Sequence, residues 1–455
     1  MDEVKRKLIE IVGSDYVYDS PAELMPYSRD FNIYMIYREI TGENLGEWIV
    51  VQPGSVKELV EILDYAYRKG IRVSVFGGGT GVLMSYMPDR SIVIDLARID
   101  FIKWYDKDSN ILHVGAGALL IDVENFLNKE GYTTGHYPQS IHKASIGGLI
   151  STGSIGMYSS GYGGIERHLL GLEVVIPGIG YINIEPSIRR NHPLPLDLLF
   201  ISSEGLIGVI YSAYLKVYKK PDIKIRRLIS IDSFEMGVEI LKKLNEYRVE
   251  PTLIRLFDEV ESTFYFNNPS PTILYELHGY SEAMDHIVGL DRVIQKLMDG
   301  KELSSSLADK WFWERYRYME KLREGYKANI IIDTMEFSCP WSKTSTFYRD
   351  FKKKMLEISS VLYLSAHISH IHRTGCGIYY TIGIDMGKFL DDYGKIWDLA
   401  VKTAIDHRCS ISHHHGIGRI RSRYLIYYYG KEVYKIFRKL VSVFDDKGIL
   451  SWRIL

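Results

Sequence analysis

Apolar positions along the chain change period several times, and each change marks an element. Leu59, Ile62, Leu63 and Ala66 recur at the three-and-four spacing of a helix with one buried face. Ser55 with Glu58 three residues later forms a capping box at its start, and Gly70 marks its end. Residues 2–12 carry a shorter pattern of the same kind, followed by an irregular segment to Trp48. Runs rich in β-branched residues predict strands at 49–52, stopped by Pro53, and at 71–75, 92–96 and 111–115. Asp122 opens a further helix that ends near Gly131, and 172–177 with 181–184 predict a strand pair. Beyond Pro221 and Asp222, strands such as 224–231 and 273–278 alternate with helical patterns at 234–247 and 285–298. That alternation predicts a second, α+β domain.

Three glycine-rich stretches interrupt this patterning, all of them before Pro221. Gly77, Gly78, Gly79, Thr80, Gly81 and Val82 follow the strand 71–75. Serial glycines let several backbone N–H groups turn inward together, which is how a loop cradles phosphate. The stretch lacks the Gly-Lys-Ser/Thr of a P-loop and the G-x-G-x-x-G of a dinucleotide fingerprint, so alone it reads equally as a glycine-rich turn. Residues 136–164 are dense in Gly, Ser and Thr, yet Ile146, Leu149 and Ile150 keep them partly buried. Small residues there would let a flat ring system lie against the backbone. The third stretch is 203–210, and Gly115 with Gly117 reads as a turn.

Composition narrows the field. With 56 basic and 57 acidic side chains in 455 residues, bulk charge points to neither nucleic acid nor an acidic membrane. Cys339, Cys376 and Cys409 are widely separated with no C-x-x-C, so a reduced, intracellular protein without a disulfide framework is expected. The first six residues lack the apolar core of a signal peptide, and no apolar run approaches the roughly 20 residues of a bilayer span. The expectation is a cytoplasmic protein, peripheral at a membrane at most.

The three stretches in this order, followed by an α+β region and a C-terminal histidine cluster, resemble the vanillyl-alcohol-oxidase type of FAD enzyme. Residues 77–81 match its pyrophosphate loop. Ser145, Gly147, Gly148, Ser151 and Thr152, with Tyr162 and Gly163, match its flavin-contacting segment. Ser203, Glu204 and Gly205, with Gly208, Val209 and Ile210, match its third motif. The resemblance implies an α+β fold: an FAD-binding domain of two α+β subdomains at 1–220, a substrate cap at 221–405, and a helical segment at 406–455 that returns to complete the FAD domain. It adds Val82, Pro138 and Ser154 to the cofactor contacts. FAD is expected to be held noncovalently, since the glycine loop contains no histidine, with His136 and His142 as the positions where a covalent link stays open.

Within that family, residues 254–258, 333–336 ahead of Pro340 and Trp341, 375–380 and 412–418 look like alkyldihydroxyacetonephosphate synthase. That branch exchanges the acyl chain of acyl-dihydroxyacetone phosphate for a fatty alcohol through a flavin adduct, without net oxidation. The rival branch, the D-2-hydroxyacid dehydrogenases for lactate or glycolate, typically binds a divalent metal through a His-x6-His pair and a Glu-His-Gly-Ile-Gly. Here Tyr379 stands where the second histidine would be, His414 where the glutamate would be, and His370 or His372 supplies the first. Loss of the carboxylate argues against the metal, so none is expected.

The resemblance assigns His413, His414 and His415 as the base for the carbon beside a ketone, chemistry imidazole suits near neutrality. Tyr379 is a proton donor or acceptor at the same carbon, Arg255 points from a cap strand at the flavin, and Arg323 holds the substrate phosphate. The bland readings are a surface histidine run, a packed tyrosine and exposed ion pairs. The aromatic and basic stretch 311–319 lines a lipid channel in the functional reading and is the buried face of a cap helix in the bland one. Expected partners are a small or lipid-like phosphorylated substrate and a second copy of the chain as a homodimer, with no nucleic acid.

Overall fold

The computed structural model describes residues 2–42, 47–191, 193–298 and 300–451. They form two compact units, one made of residues 1–155, 164–219 and 414–455, the other of 156–163 and 220–413. The C-terminal return therefore begins at His414 rather than at residue 406. The short stretch Gly156–Gly163, expected with the flavin segment, belongs to the second unit.

In the first unit the strands Ile49–Val51, Ser91–Asp95 and Arg72–Phe76 run parallel, with Val17–Tyr18 antiparallel at one edge. The helix Val56–Lys69 crosses from Ile49–Val51 to Arg72–Phe76, as a parallel connection requires. Ser55 caps it by accepting from the Glu58 N–H at 3.2 Å, and Gly70 closes it at φ 65°. Glu58 reaches back to the N–H of Gly54 at 2.7 Å, one residue beyond the expected box. A second, antiparallel sheet takes the order Ile102–Asp106, Ile111–Gly115, Val209–Lys216, Leu169–Ile176, Gly180–Ile184.

The segment read as irregular before Trp48 holds an eight-residue helix, Ile33–Ile40, capped by Asn32. Its N-terminal approach underpins the glycine loop. The Phe31 N–H donates to the Gly81 carbonyl at 2.6 Å and Asn32 Nδ2 to the Val82 carbonyl at 2.7 Å. Asp30, fully enclosed, accepts from the N–H of Asn32 and of Ser85, and burial pushes its carboxyl up to about 7.

The second unit is one antiparallel sheet of seven strands, ordered Lys301–Glu302, Ile223–Ser230, Thr272–Gly279, Leu253–Phe257, Val361–His372, Gly375–Asp385, Ile330–Pro340. Side chains alternate between its faces. Leu256, Ile368, Ile378, Tyr380 and Phe337 take one face and are fully buried, with Phe347 and Phe351 of the helix Trp341–Leu356 packed on the last two. The opposite face is the chemically interesting one.

One sequence expectation fails here. Cys339 and Cys409 are joined in a disulfide, with their Cα atoms 4.4 Å apart. Seventy residues separate them, so nothing in their spacing announced the pair. A bridge between Ser338 and Ser410 holds the two segments side by side, which brings the thiols together. Cys376 alone is free, and it is buried.

Candidate functional site

In the first unit the glycine stretches make a cradle. A Cβ on Gly78 would lie 1.8 Å from the Lys143 carbonyl oxygen, and one on Gly77 would lie 2.6 Å from Ser145 Oγ. The loop thus presses against the start of the helix Ile146–Thr152, whose cap Ser145 accepts from the Gly148 N–H at 3.3 Å. Where the loop meets glycines 147 and 148 it presents backbone and no side chains. This is a surface a pyrophosphate and a flat ring can approach. The residues fit FAD.

Neighbouring side chains brace this cradle. The buried Glu124 carboxylate accepts from the Thr134 N–H at 2.7 Å, Thr133 Oγ1 at 2.9 Å and Tyr137 Oη at 2.6 Å, fixing the entry to the segment that holds Pro138. Thr152 bonds back to the Gly148 carbonyl at 2.9 Å, and Ser154 Oγ meets His136 Nε2 at 3.2 Å. His136 is enclosed, with burial and then His168 and His414 holding its imidazole well below the ordinary value, whereas His142 is exposed. Val209 and Ile210 are buried at the start of the central strand of the antiparallel sheet, and Gly205 turns at φ 74° just before it.

Glu204, expected among the cofactor contacts, spends its carboxylate within the protein. It accepts from the backbone N–H groups of Ile417 and Gly418, the latter at 2.9 Å. Gly416 and Gly418 sit at φ 86° and 50°, and a Cβ on Gly418 would lie 2.0 Å from the Leu83 carbonyl oxygen. The Gly-Ile-Gly after the histidines therefore locks the C-terminal turn to Glu204 and to the loop that follows the glycine cradle. His414 and His415 lie at the start of this turn, their rings 4.9 Å apart.

In the second unit the strand register assembles a row on the open face of the sheet. Phe257 stands opposite His367, His367 opposite Tyr379, and Tyr379 opposite Glu336. The neighbouring row is Arg255, Ser369, Gly377 and Ser338. Opposed residues share a face, so Arg255, His367, Tyr379 and Glu336 are presented together. Gly377 leaves room for His413, whose ring a Cβ there would meet at 3.1 Å.

His367 stacks on Tyr379 with centroids 5.0 Å apart and planes within 10°. Its Nδ1 donates to the buried Glu261 carboxylate at 2.8 Å, from the helix Glu259–Phe266. Burial holds His367 below its ordinary value, against the pull of the Glu261 carboxylate. Burial alone would raise Glu261, but His367 and Arg255 outweigh it and keep the carboxylate charged. Arg255 lies over Trp311, 5.0 Å from the ring centroid, and burial pushes it below its ordinary value. Lys321 is likewise lowered by burial, and its ammonium donates to Tyr265 Oη at 2.6 Å. Arg315 adds a second buried guanidinium that acts on Arg255.

Arg323 does not join this group. It is exposed on the helix Tyr318–Lys327, while Lys321 of the same helix points inward. The stretch 311–319 divides the same way: Trp311 and Arg315 are buried, Trp313 and Met319 exposed.

His413 is flanked by His372 and His370, the two histidines weighed as alternatives in the sequence, and by Glu336, to which the sequence assigned no role. Its Nε2 lies 2.7 Å from His372 Nε2, and its ring stacks on His370 at 5.4 Å. His370 sits in a β-bulge at φ 65°, the kind of break that re-aims a side chain, and its Nδ1 meets Ser159 Oγ at 2.7 Å. The fully buried Glu336 accepts from the His413 backbone N–H, and a carboxylate oxygen lies within 4.8 Å of a His413 ring nitrogen. The signal was there in the period of two that puts Glu336 on the face of Phe337's neighbours rather than of Phe337 itself.

Residues 48–182 match the family model for the FAD binding domain, and residues 221–453 match that for the C-terminal domain of FAD linked oxidases. The alkyldihydroxyacetonephosphate synthase of Caenorhabditis elegans is 25% identical over 447 residues, covering 89% of this chain and 75% of its own. The D-lactate dehydrogenase of Archaeoglobus fulgidus is 22% identical over 415 residues, covering 89% and 90%. A solved alkyldihydroxyacetonephosphate synthase superposes with a TM-score of 0.83 at 19% identity, over 99% of this chain and 85% of that one.

Proposed function

Starting from the membership of this chain in the FAD-linked oxidase family, and from FAD as its cofactor, we propose that it is an alkyldihydroxyacetonephosphate synthase-like enzyme. Its substrate would be a phosphorylated keto-ester with a fatty chain, and the reaction an exchange of that acyl chain for an alkyl ether. The observation that carries the reading is the group of half-buried Arg255 and Lys321 with buried Arg315 on one side of the second unit, with Glu261 and Glu314 as the acids acting on it. Desolvated cations in excess call for an anion, and a guanidinium fork matches phosphate oxygens.

In this reading Arg255 and Lys321 hold the phosphate. Tyr379, braced by His367 and through it by Glu261, exchanges a proton with the carbon beside the ketone. His413, set by Glu336 and His372, is the imidazole that accepts it. When bound, FAD would supply the electron-poor ring for this exchange, in which the fatty acid leaves as its carboxylate and the oxygen of the fatty alcohol takes its place.

A second reading keeps its own support. Glu336 against His413, whose ring also meets His372, supplies a carboxylate that the sequence pattern lacked, and a carboxylate with imidazoles can ligate a divalent metal of the kind the hydroxyacid-dehydrogenase reading needs. One experiment separates the two. Flavin-loaded protein, mixed anaerobically with acyl-dihydroxyacetone phosphate and a fatty alcohol, should form the ether without an electron acceptor, and Tyr379→Phe should abolish this with the flavin spectrum intact. Bleaching of the flavin band by D-lactate or glycolate, together with a stoichiometric divalent ion, would replace the synthase reading with the dehydrogenase one.

A further inference from the structure

The helix Lys431–Phe444 is unlike the others of the first unit. Val56–Lys69 buries Leu59, Ile62, Leu63, Tyr65 and Ala66, whereas Lys431–Phe444, of equal length, buries Val441 alone. Its apolar residues cover two adjoining strips. Tyr434, Phe437, Val441 and Phe444 turn at least partly inward, and Val433, Ile436, Leu440 and Val443 are exposed, Ile436 at 65% and Val443 at 68%. Both sets follow the same three-and-four spacing. The short helix Leu425–Tyr429 just before it exposes Tyr427 at 75%, with Tyr428, Tyr429 and Ile426. An exposed apolar strip continuous with tyrosines is larger than scattered surface residues account for.

Charge identifies what covers it. Lys431, Lys435, Arg438 and Lys439 are all exposed along the polar side of the helix, against the single acid Glu432. A second copy docked through this strip about a two-fold axis would set the same basic helix against itself, with one acid each to answer four cations. An anionic lipid surface has no such conflict: the apolar strip enters the acyl boundary, the tyrosines sit at headgroup depth, and lysines beside the strip extend to the phosphates. We propose that the helix Lys431–Phe444, with Leu425–Tyr429, is an interfacial anchor that docks the protein on anionic membrane surfaces. The claim is independent of the reaction proposed above, and its readout is vesicle binding rather than turnover.

The flavin-loaded full chain is sedimented with phosphatidylcholine vesicles, with and without phosphatidylglycerol. Binding is expected to the anionic vesicles, weakening as salt rises. Lys435→Glu with Lys439→Glu touches no buried atom and should weaken it at least about ten-fold, and Ile436→Asp with Val443→Asp should remove it. Failure to bind the anionic vesicles overturns the proposal. So does binding that both pairs of substitutions leave unchanged. A self-association of the wild-type chain that Ile436→Asp abolishes, with no vesicle binding, would assign the strip to a second copy instead.

Discussion

Lys321 and Arg323 stand two positions apart on one helix and face opposite ways. Leu322 and Gly325, both buried, set the phase that puts Lys321 beside Glu261 and leaves Arg323 in water. Losing a charge-assisted bond to a buried anion costs about 1.5–3 kcal/mol, or roughly 10- to 100-fold. Lys321→Met should raise KM for the phosphorylated substrate by that factor, and Arg323→Ala should leave it within about two-fold. The sequence singled out Tyr379 and Arg255 through the motif residues around them, and strand register puts both on one face of the sheet. Glu336, His367 and Glu261 were not, because only strand register brings them to Tyr379. A different, half-buried acid reports on stability. For Glu173, burial alone would raise the carboxyl, but bonds from His113, Ser212 and Tyr181 outweigh it and hold it near about 2. A depressed carboxyl stabilises the fold above its unfolded value, near 4.5, and loses that contribution as pH falls towards 2. Denaturant unfolding of Glu173→Gln should therefore show a deficit of about 1–2 kcal/mol at neutral pH, with partial solvent access trimming the full linkage value, and the deficit should shrink as pH falls from about 4.5 towards 2.

Elements with a strong three-and-four period were read almost to the residue. Val56–Lys69, Phe234–Glu246 and Met284–Leu297 all stand where three-and-four spacing placed them. The helix Ile33–Ile40 escaped because eight residues hold barely two turns, and its cap Asn32 is better recognised by its bond to Val82 than by any pattern. The long strands Val361–His372 and Gly375–Asp385 were hidden for another reason: mixed burial and the bulge at His370 blur the alternation. The glycine loop was legible as a cradle, but its fit to Lys143 was not. Gly78→Ala drives a methyl into that carbonyl, so the variant should purify with little or no FAD, judged by its flavin absorbance per chain. In the second unit the Cys339–Cys409 link closes a separation of 70 residues, which loop-closure entropy values at about 4 kcal/mol. Replacing both cysteines by serine should lower the melting temperature measurably, and it should do so without shifting the flavin spectrum.

At the scale of the whole molecule, the composition change at Pro221 lies beside the passage between units, which falls after residue 219. The excursion of Gly156–Gly163 into the second unit could not be foretold, because it depends on bonds such as Tyr162 Oη to His278 Nδ1 at 3.1 Å and on Gly161 packing against Thr252. Among the described residues no helix is long and apolar enough to cross a membrane. Three separated pieces of chain make up the first unit, and the last of them holds the turn that meets Glu204 and Leu83 and the strand partner at Ile449, whose carbonyl accepts from the Val73 N–H at 2.8 Å. The second unit lies almost entirely upstream of that piece. A chain emerging from the ribosome can therefore finish its second unit while its first still waits for its closing segment. Flavin capture is then a late event in the life of the polypeptide, and nascent chains halted before residue 414 should emerge colourless, however well their glycine loop has been synthesised.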